Sequence, residues 1–496
     1  MKTTSNKRVR RGGNVFTLIY FTFLFAGPSF GAEVNPLQRA GKDTIQALKA
    51  APAPVTPVVA PADTVAEQPS SEPFAWGDFT WINGNDRRHT ALLDSKYVTG
   101  RVLLDANYTA SNQHPVDNTV IGSTSLARNN EFEINVAALG GDFHYDNARA
   151  SILLQLGTRA TVVPRNDYSP YHGQYDLADA YRYVSEANAG YHFDVMHGLN
   201  VDAGIFMSYI GLFSYYNAEN WTYQPSFTSD NTPWFFNGMR IQMFPSDRLK
   251  IELWLINGWQ SYAKFGNAPG LGVQFTWRPV ESIQVLSNNY YGHDAAMDPA
   301  RYRLHTDNSF LLRYYNNPGS SGISKMAFSL TQDIGCEAGD GIVSGFSKVP
   351  GQFQQYFISG MAYDRMWFDN DHIGATIGAG YINNPGRYLV LYPTGDASPL
   401  PNPYDPTSTA GTHPFSANPG DQFHGWDATI SFDWMPNDYV QYQFQIDHRE
   451  TDVPYFAGPG GVTSPTGYTT TAIPTDWTPD LVKNETRFIA AVLVRF

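Results

Sequence analysis

The last eleven residues of the chain alternate between two kinds of side chain, and this pattern constrains the fold most. In Thr486–Phe496, one face is wholly apolar and comprises Phe488, Ala490, Val492, Val494 and Phe496. The other face carries charge and comprises Arg487, Ile489, Ala491, Leu493 and Arg495. Because successive side chains of a β-strand point to opposite sides, the pattern predicts a two-faced strand. A soluble sandwich and a transmembrane barrel both use such strands.

The run before it, Asp438–His448, repeats the pattern more cleanly. Its apolar side chains are Val440, Tyr442, Phe444 and Ile446, and they alternate with Gln441, Gln443, Gln445 and Asp447. In a transmembrane barrel the apolar face meets lipid and the polar face meets a wet lumen.

The composition suits a membrane barrel, although a large all-β enzyme or lectin also carries aromatic residues on its strands. Aromatic residues make up 15 % of the 496 residues, although the mean hydropathy is −0.34. Aromatic rings form girdles at both lipid–water interfaces of membrane barrels. The net charge of −13 argues against nucleic acid as a partner, and the single cysteine, Cys336, excludes an internal disulfide framework.

The N-terminal region predicts export. Residues 1–32 have a basic start, a short apolar core from Val15 to Ala26, and small residues before a cleavage point, which is the pattern of a signal peptide. Residues 33–73 are rich in Ala and Pro and predict an extended periplasmic linker. No later stretch reaches the roughly 18 consecutive apolar residues of a spanning helix.

Residues 74–496 contain a series of stretches that alternate like strands. The predicted strands are Val98–Tyr108, Asn130–Ala137, Asn147–Gly157, Ala180–His192, Leu199–Met207, Pro233–Phe244, Arg248–Asn257, Gly270–Trp277, Glu281–Tyr290, Asn308–Tyr315, Gly322–Gln332, Gln352–Phe368, His372–Tyr381, His424–Trp434, Asp438–His448 and Thr486–Phe496. In the second of them, Phe132, Ile134 and Val136 are predicted to share the apolar face.

The connections between these strands alternate in length. The short ones are dense in turn-forming residues and are Gly140–Asp146, Met196–Gly198, Pro245–Asp247, Arg278–Val280, Asn316–Ser321, Asp369–Asp371 and Met435–Asn437. The long ones are 111–128, 158–178, 208–232, 258–269, 291–307, 333–351, 382–423 and 449–485. Short periplasmic turns and long outer loops are typical of outer-membrane barrels, whereas a sandwich has no reason to alternate in this way.

The predicted fold is therefore all-β. We expect a transmembrane antiparallel up-and-down β-barrel of about 16 strands, with a range of roughly 14 to 18. Residues 74–84 are left over, and they are either an extra strand or a segment in the barrel mouth. As the closing strand, Thr486–Phe496 is expected to pair with both Asp438–His448 and the strand near Val98. We expect Phe496 to serve as the signal that the barrel-assembly machinery reads.

Several motifs resemble those of a known family. They are Gly141–His144, Asp176–Tyr183, Gly204–Gly211, Asn231–Gly238, Ile382–Tyr388 and Val453–Phe456. With these motifs, residues 74–496 resemble the OmpL-like β-barrel porins of bacterial outer membranes. The resemblance implies a Gram-negative outer-membrane barrel that forms a pore. It implies no particular substrate and no catalytic residues.

The polar faces of the strands supply the candidate pore-lining residues. They are Arg101, Asp105, Glu131, Glu133, Arg149, Arg182, Glu186, Asp202, Arg240, Lys250, Glu252, Arg313, Asp427, Asp433, Gln441, Gln443, Gln445, Asp447 and Arg487. Because a charge in the hydrocarbon region is costly, we expect these side chains to face water or protein. The two signs are nearly balanced, so the wall predicts neither cation nor anion selectivity. The charges either set a field across a constriction or form ion-pair ladders that stiffen the wall.

Two long loops are candidates for narrowing the lumen. Loop 208–232 carries Tyr215, Tyr216, Trp221, Tyr223 and Phe227, which is too aromatic for a freely solvated loop. These rings either form a stacking track for sugars or, as we favour, pack against the inner wall. Loop 382–423 is the longest and is rich in proline.

The predicted function is a passive or weakly selective diffusion channel for small hydrophilic solutes, located in the cell outer membrane. The alternative is a non-conducting surface protein that binds a partner through its long loops. The expected partners are outer-membrane lipid, the assembly machinery and the solutes, and a homotrimer is expected only by analogy with other porins. We predict no enzyme, because no nucleophile elbow accompanies His192 and Asp202. We also predict no metal or cofactor, since Asp369–Asp371 lacks the rest of the calcium-loop pattern.

Overall fold

A computed structural model describes residues 72–164, 167–171, 173–294, 299–339, 345–346, 354, 356–385, 423–468, 470–474 and 476–496. The predicted signal peptide (1–32), nearly all of the predicted linker (33–73) and most of loop 382–423 lie outside the described residues. Their predicted roles stay predictions.

Sixteen strands of the described ranges form one closed barrel. They are β1 (Val98–Ser111), β2 (Phe132–Tyr145), β3 (Ala148–Leu156), β4 (Val184–Phe193), β5 (Leu199–Met207), β6 (Phe235–Ser246), β7 (Leu249–Ile256), β8 (Gly270–Val280), β9 (Ile283–Gly292), β10 (Tyr302–Asn316), β11 (Ile323–Ala338), β12 (Tyr356–Phe368), β13 (Ile373–Asn384), β14 (Phe423–Asn437), β15 (Val440–Thr451) and β18 (Asn484–Arg495). The two short strands β16 (Phe456–Ala457) and β17 (Leu481–Val482) pair with each other in a separate two-stranded sheet that is not part of the barrel wall. The predicted fold and strand number are confirmed.

The barrel closes through its last strand. β18 pairs antiparallel with β15 on one side and with β1 on the other, as predicted, so the sheet has no open edge. A closed sheet satisfies every backbone N–H and C=O inside hydrocarbon, where an unpaired group is costly.

The two faces of the strands differ as the alternation predicted. On β18, Phe488 is 50 % exposed and points outward, whereas Arg487 is fully buried. On β15, Phe444 and Ile446 are exposed, while Gln443 and Gln445 are buried. The barrel therefore presents apolar side chains outward and polar side chains to its interior.

One side chain of β2 was assigned to the wrong face. Val136 is buried inside the barrel, whereas Phe132 and Ile134 are exposed outside. The pairing with β1 shifts register between Asp105 and Ala106, which makes Asn135 an extra residue. Such a β-bulge breaks the alternation locally, so Val136 turns inward although it is apolar.

The prediction that Gly140–Asp146 is a turn was wrong. Gly140 and Gly141 lie inside β2, and a Cβ at Gly140 would lie 1.9 Å from the backbone oxygen of Ile152 in the neighbouring strand. Here glycine permits close strand packing and does not form a turn. The turn itself begins at Asp146, which has a φ of +54°.

Short helices lie in the long connections. They are α1 (Arg159–Val162), α2 (Leu177–Tyr181) and α3 (Phe227–Asp230), with 3₁₀ turns at Ser169–Tyr171 and Asn217–Glu219. The predicted strand Ala180–His192 begins too early, because the Asp176 side chain accepts a hydrogen bond from the Ala178 N–H and caps α2. None of the helices in the described ranges has the length and apolar character to cross a membrane.

Residues 74–84 are not a strand. They belong to an irregular segment, residues 72–90, which we call the strap. The strap lies at the turn end of the barrel, where the short connections are, and its side chains Phe74, Phe79, Trp81 and Ile82 are buried. The second interpretation, a segment in the barrel mouth, is therefore correct.

The barrel seam yields a prediction about Phe496. Its backbone N–H donates to Val102 O at 2.9 Å, and the Val102 N–H donates to Phe496 O at 3.0 Å. We expect deletion of Phe496 to lower the amount of folded protein in the outer membrane, measured as the heat-modifiable band, without changing the conductance of the protein that inserts. Phe496→Ala distinguishes loss of the backbone hydrogen bonds from loss of the aromatic ring, since it keeps both bonds and removes only the ring. Normal assembly of both variants would refute the assembly role.

Candidate functional site

The connection between β5 and β6 lies inside the barrel. We call residues 208–234 the inner loop; all of them except Ser208 and Ala218 are buried. One of the two loops predicted to narrow the lumen is thus placed there. For most of the other, 382–423, the structure describes nothing.

The polar wall of the barrel holds the inner loop through backbone hydrogen bonds. On β15, Gln445 Oε1 accepts from the N–H groups of Tyr223 at 2.7 Å and Gln224 at 2.9 Å. Its Nε2 donates to the Gln224 carbonyl at 3.0 Å. Two strands along the wall from β15, Tyr223 Oη donates to Asp105 Oδ1 of β1 at 2.7 Å. The loop is therefore fixed between two parts of the wall.

A second set of contacts fixes the rest of the loop. Ser226 Oγ and the Phe227 N–H both donate to Asp427 Oδ2 of β14, at 2.7 and 3.0 Å. The Arg449 guanidinium of β15 pairs with Asp230 at 2.9 Å. Because these groups are buried, each bond satisfies atoms that water does not reach.

The aromatic side chains of the inner loop pack and do not line an open track. All five predicted rings are 3 % exposed or less, and several also donate hydrogen bonds. Tyr216 Oη donates to Glu186 at 2.7 Å and Tyr215 Oη to Gln155 at 2.9 Å. Burial raises the pKa of Tyr215 to about 12, so it stays a neutral donor. Trp221 meets the ring of Trp367 edge-on at 5.7 Å.

Many charged side chains inside the barrel occur in ion pairs, whereas Asp105 and Glu133 accept hydrogen bonds from uncharged groups. The pairs include Arg101 with Glu186 at 2.7 Å, Arg240 with Asp202 at 2.8 Å, Lys250 with Glu252, Arg365 with Asp433, Arg449 with Asp447 at 2.8 Å, and Arg487 with Glu485 at 2.8 Å. A buried charge is tolerated when a partner of opposite sign and further hydrogen bonds replace water. This arrangement is the ion-pair ladder considered above.

Most of the predicted lining residues lie in barrel strands and are buried inside. These are Arg101, Asp105, Glu133, Glu186, Asp202, Arg240, Lys250, Glu252, Arg313, Asp427, Asp433, Gln441, Gln443, Gln445, Asp447 and Arg487. Arg149 of β3 is partly exposed and lies 3.4 Å from Asp202. Whether these side chains line a conducting path stays a prediction.

Two predicted lining residues lie outside the strands. Glu131 precedes β2 and pairs with Arg128 at 2.7 Å, and the hydrogen bonds from Arg128 hold the pKa of Glu131 below its ordinary value. Arg182 caps the C-terminus of α2 and pairs with Asp179 at 2.8 Å. Both sit in long connections, where strand alternation does not assign a face.

His192 and Asp202 lie on adjacent strands but serve different partners. His192 Nδ1 is 2.8 Å from Asn200 Oδ1, and Asp202 pairs with Arg149 and Arg240. In the described part of the chain, no three His, Cys, Asp or Glu side chains are grouped to hold a metal ion.

The sequence reasoning missed Arg365, an interior residue that contacts both the wall and the inner loop. Arg365 of β12 donates to the Trp221 carbonyl at 3.0 Å and pairs with Asp433. Its strand was predicted, but the inward side chains on either side of it, Tyr363 and Trp367, are aromatic. The inward face of this strand therefore does not read as polar in the sequence. Period-two alternation within Gln352–Phe368 was the one available signal for Arg365.

Comparison with protein families identifies the barrel. The profile of the family described as "Putative beta-barrel porin-2, OmpL-like" matches residues 97–496, which include every strand of the barrel. The chain belongs to this porin family. It is an outer-membrane β-barrel protein, as its sequence resemblance implied.

Three solved structures of outer-membrane proteins are similar to this porin at low identity. The anion-selective porin from Comamonas acidovorans is 8 % identical, with a TM-score of 0.45 over 80 % of this chain and 99 % of that one. The channel DcaP of Acinetobacter baumannii is 9 % identical, with a TM-score of 0.44 over 80 % and 97 %. OmpT of Vibrio cholerae, in its trimer form, is 8 % identical, with a TM-score of 0.44 over 81 % and 100 %. No curated protein sequence matches the chain.

The hydrogen bonds of Gln445 give a testable prediction about the inner loop. Gln445→Leu leaves two N–H groups and one carbonyl of the loop without their partner, so we expect the free energy of unfolding to fall by about 2 kcal/mol. We also expect faster proteolysis within 208–234. The matched control is Gln441→Leu on the same face of β15, since Gln441 donates only to the Asp433 side chain. Equal effects of both variants would contradict a specific role of Gln445.

Proposed function

We propose that this porin is a passive, weakly selective diffusion channel for small hydrophilic solutes. The observation that carries the proposal is the polar interior of a closed barrel whose outer face is apolar. Gln441, Gln443 and Gln445 follow one another on the inner face of β15, and each is buried away from lipid. A polar interior of this kind suits water and hydrated solutes, and in outer-membrane barrels it surrounds the channel.

Weak selectivity follows from the pairing of the interior charges. Arg240 pairs with Asp202, and Arg101 binds Glu186. A balanced ion pair presents a dipole to a passing ion and not a net charge, so it favours neither cations nor anions strongly. Balanced pairs thus favour exclusion by size over exclusion by charge.

The inner loop supports a channel that is narrowed from inside. It runs from β5 across to the inner faces of β14 and β15, where Asp427 and Gln445 hold it. In large barrels a loop inside the lumen limits the size of solutes that pass. We therefore propose the inner loop as the size filter.

Planar-bilayer recordings test the channel. We expect purified, folded protein to give stepwise conductance, and a reversal potential close to zero in a potassium chloride gradient because the interior charges are paired. A heat-denatured sample in the same detergent is the control. A bilayer that stays sealed at high load of folded protein, with the full chain and also with a folded chain that lacks residues 74–90, would refute the channel and favour the non-conducting surface protein. A reversal potential near the Nernst value of either ion would refute weak selectivity alone.

A homotrimer remains an expectation from other porins of this strand number. The detergent-corrected mass of the purified protein measures it directly. That measurement does not depend on the conductance.

A further inference from the structure

The strap crosses the whole mouth of the barrel at its turn end. At its start, the Phe74 N–H donates to Asp247 O, in the turn between β6 and β7, at 2.8 Å. At its end, Arg87 Nη2 donates to Val440 O at 2.9 Å, and His89 Nδ1 lies 2.9 Å from Asp438 Oδ2 in the turn between β14 and β15. Eight strands separate these two turns in either direction around the barrel. The strap thus spans a diameter.

The first half of the strap is held by cations of the wall. The Arg278 guanidinium of β8 lies over the rings of Phe74 and Phe79, at 4.6 and 4.4 Å from their centroids. Asp78 Oδ2 lies 3.3 Å from Arg313 of β10 and 3.4 Å from Lys325 of β11. These contacts join the strap to three strands on one side of the mouth.

The second half is held by the closing strand. Asp86 pairs with Arg88 at 2.8 Å and lies 3.4 Å from Arg495 of β18. Burial alone would raise the pKa of Asp86, but the two guanidinium groups outweigh burial, and the pKa lies below its ordinary value. Asp86 is therefore ionised and paired at neutral pH.

The strap also binds the inner loop directly. The Gly84 N–H donates to Glu219 O at 3.0 Å, and the Trp221 N–H donates to Asn83 Oδ1 at 2.7 Å. Trp221 Nε1 donates to the Trp81 carbonyl at 3.1 Å. Strap and inner loop are thus joined in the middle of the lumen.

An apolar cluster fills the space where these two segments meet the wall. It unites strap, inner-loop and wall side chains and includes Phe79, Trp81, Ile82, Leu212, Phe213, Trp221, Leu286, Leu311, Trp367 and Met435, each 7 % exposed or less. A dry apolar constriction blocks ions, because it offers nothing to replace their hydration. Where strap, inner loop and wall meet at the turn end, this cluster offers a passing ion only apolar side chains.

We propose that the strap is a plug, and that solutes pass only after it has left the turn-end mouth. In outer-membrane barrels this mouth faces the periplasm, so the channel is gated from the periplasmic side. The inference rests on the proposed channel function and adds a closed state to it. In this closed state the strap makes the hydrogen bonds and ion pairs described above, and an opening motion would break them together.

Gly84 offers a way to displace the strap without shortening the chain. It has a φ of +82°, and a Cβ there would lie 2.3 Å from the Leu212 carbonyl oxygen of the inner loop. Gly84→Ala therefore pushes strap and inner loop apart. Gly319 is the matched control, because its φ is +77° but nothing lies within 4 Å of its Cβ position. The control carries the same backbone strain without the collision.

The decisive experiment compares the conductance of four chains in planar bilayers. They are the full chain, Gly84→Ala, Gly319→Ala, and a chain that lacks residues 74–90. Folding of each is checked by heat-modifiable mobility. We expect Gly84→Ala to raise the open fraction by about threefold or more. The deletion is expected to raise it further, and Gly319→Ala to match the full chain.

The outcomes separate the plug from the channel. If all four chains conduct alike, the plug is refuted and the channel stands. If no chain conducts, including the folded deletion, both are refuted. If Gly84→Ala destabilises the fold, the comparison of the deletion with the full chain tests the plug by itself: equal conductance refutes the plug, and higher conductance of the deletion supports it.

A thiol probe checks strap movement without conductance. In a Cys336→Ser background, Ile82→Cys places a thiol on the strap at a position that is 2 % exposed. We expect a water-soluble maleimide to label it faster when Gly84→Ala is added than when Gly319→Ala is added. Faster labelling without higher conductance would overturn the plug, since the strap would then move without opening a path.

Discussion

Closure of the sheet is the constraint on which the rest of the structure depends. Since β18 pairs with both β1 and β15, no strand edge faces hydrocarbon, and each strand has one lipid face and one interior face. A charged side chain on a strand then points inward, because pointing outward would place the charge in hydrocarbon at a high free-energy cost. The ion pairs and the polar bonds that hold the inner loop follow from crowding these inward charges into one enclosed space.

The interior charges position segments more than they stabilise the fold. A buried ion pair gains little over well-packed apolar groups, because removing both charges from water offsets their attraction. Yet a carboxylate such as Asp105 or Asp427 accepts bonds from one particular stretch of the inner loop. Arg365 likewise joins Asp433 to the Trp221 carbonyl. Each charge thus selects one placement of a loop that lacks regular secondary structure over most of its length.

The features that could be predicted from the sequence are those that depend on local periodicity. Alternation located all sixteen strands and the faces of β15 and β18, because it needs only neighbours in the chain. It failed at Val136, where a bulge shifts the phase, and at Gly140–Asp146, where glycines serve strand contact. The aromatic content of 208–232 correctly indicated an inward loop. Asp78 pairs with Arg313 and Lys325, and Asp86 reaches Arg495 besides its near neighbour Arg88. Arg313, Lys325 and Arg495 lie hundreds of residues away in the chain, and no local pattern reveals such pairs.

The polar wall is compatible with both states that we propose for this barrel, one open and one closed by the strap. Groups that would solvate a passing solute are the groups that bind the inner loop and the strap: Gln445 holds backbone N–H groups, and Arg313 holds Asp78. Water offers every one of these groups a substitute partner of nearly equal strength. The strap therefore gains little from its polar bonds over a hydrated mouth. Its hold depends on the apolar side chains, above all Trp81 and Ile82, that its release would expose to water.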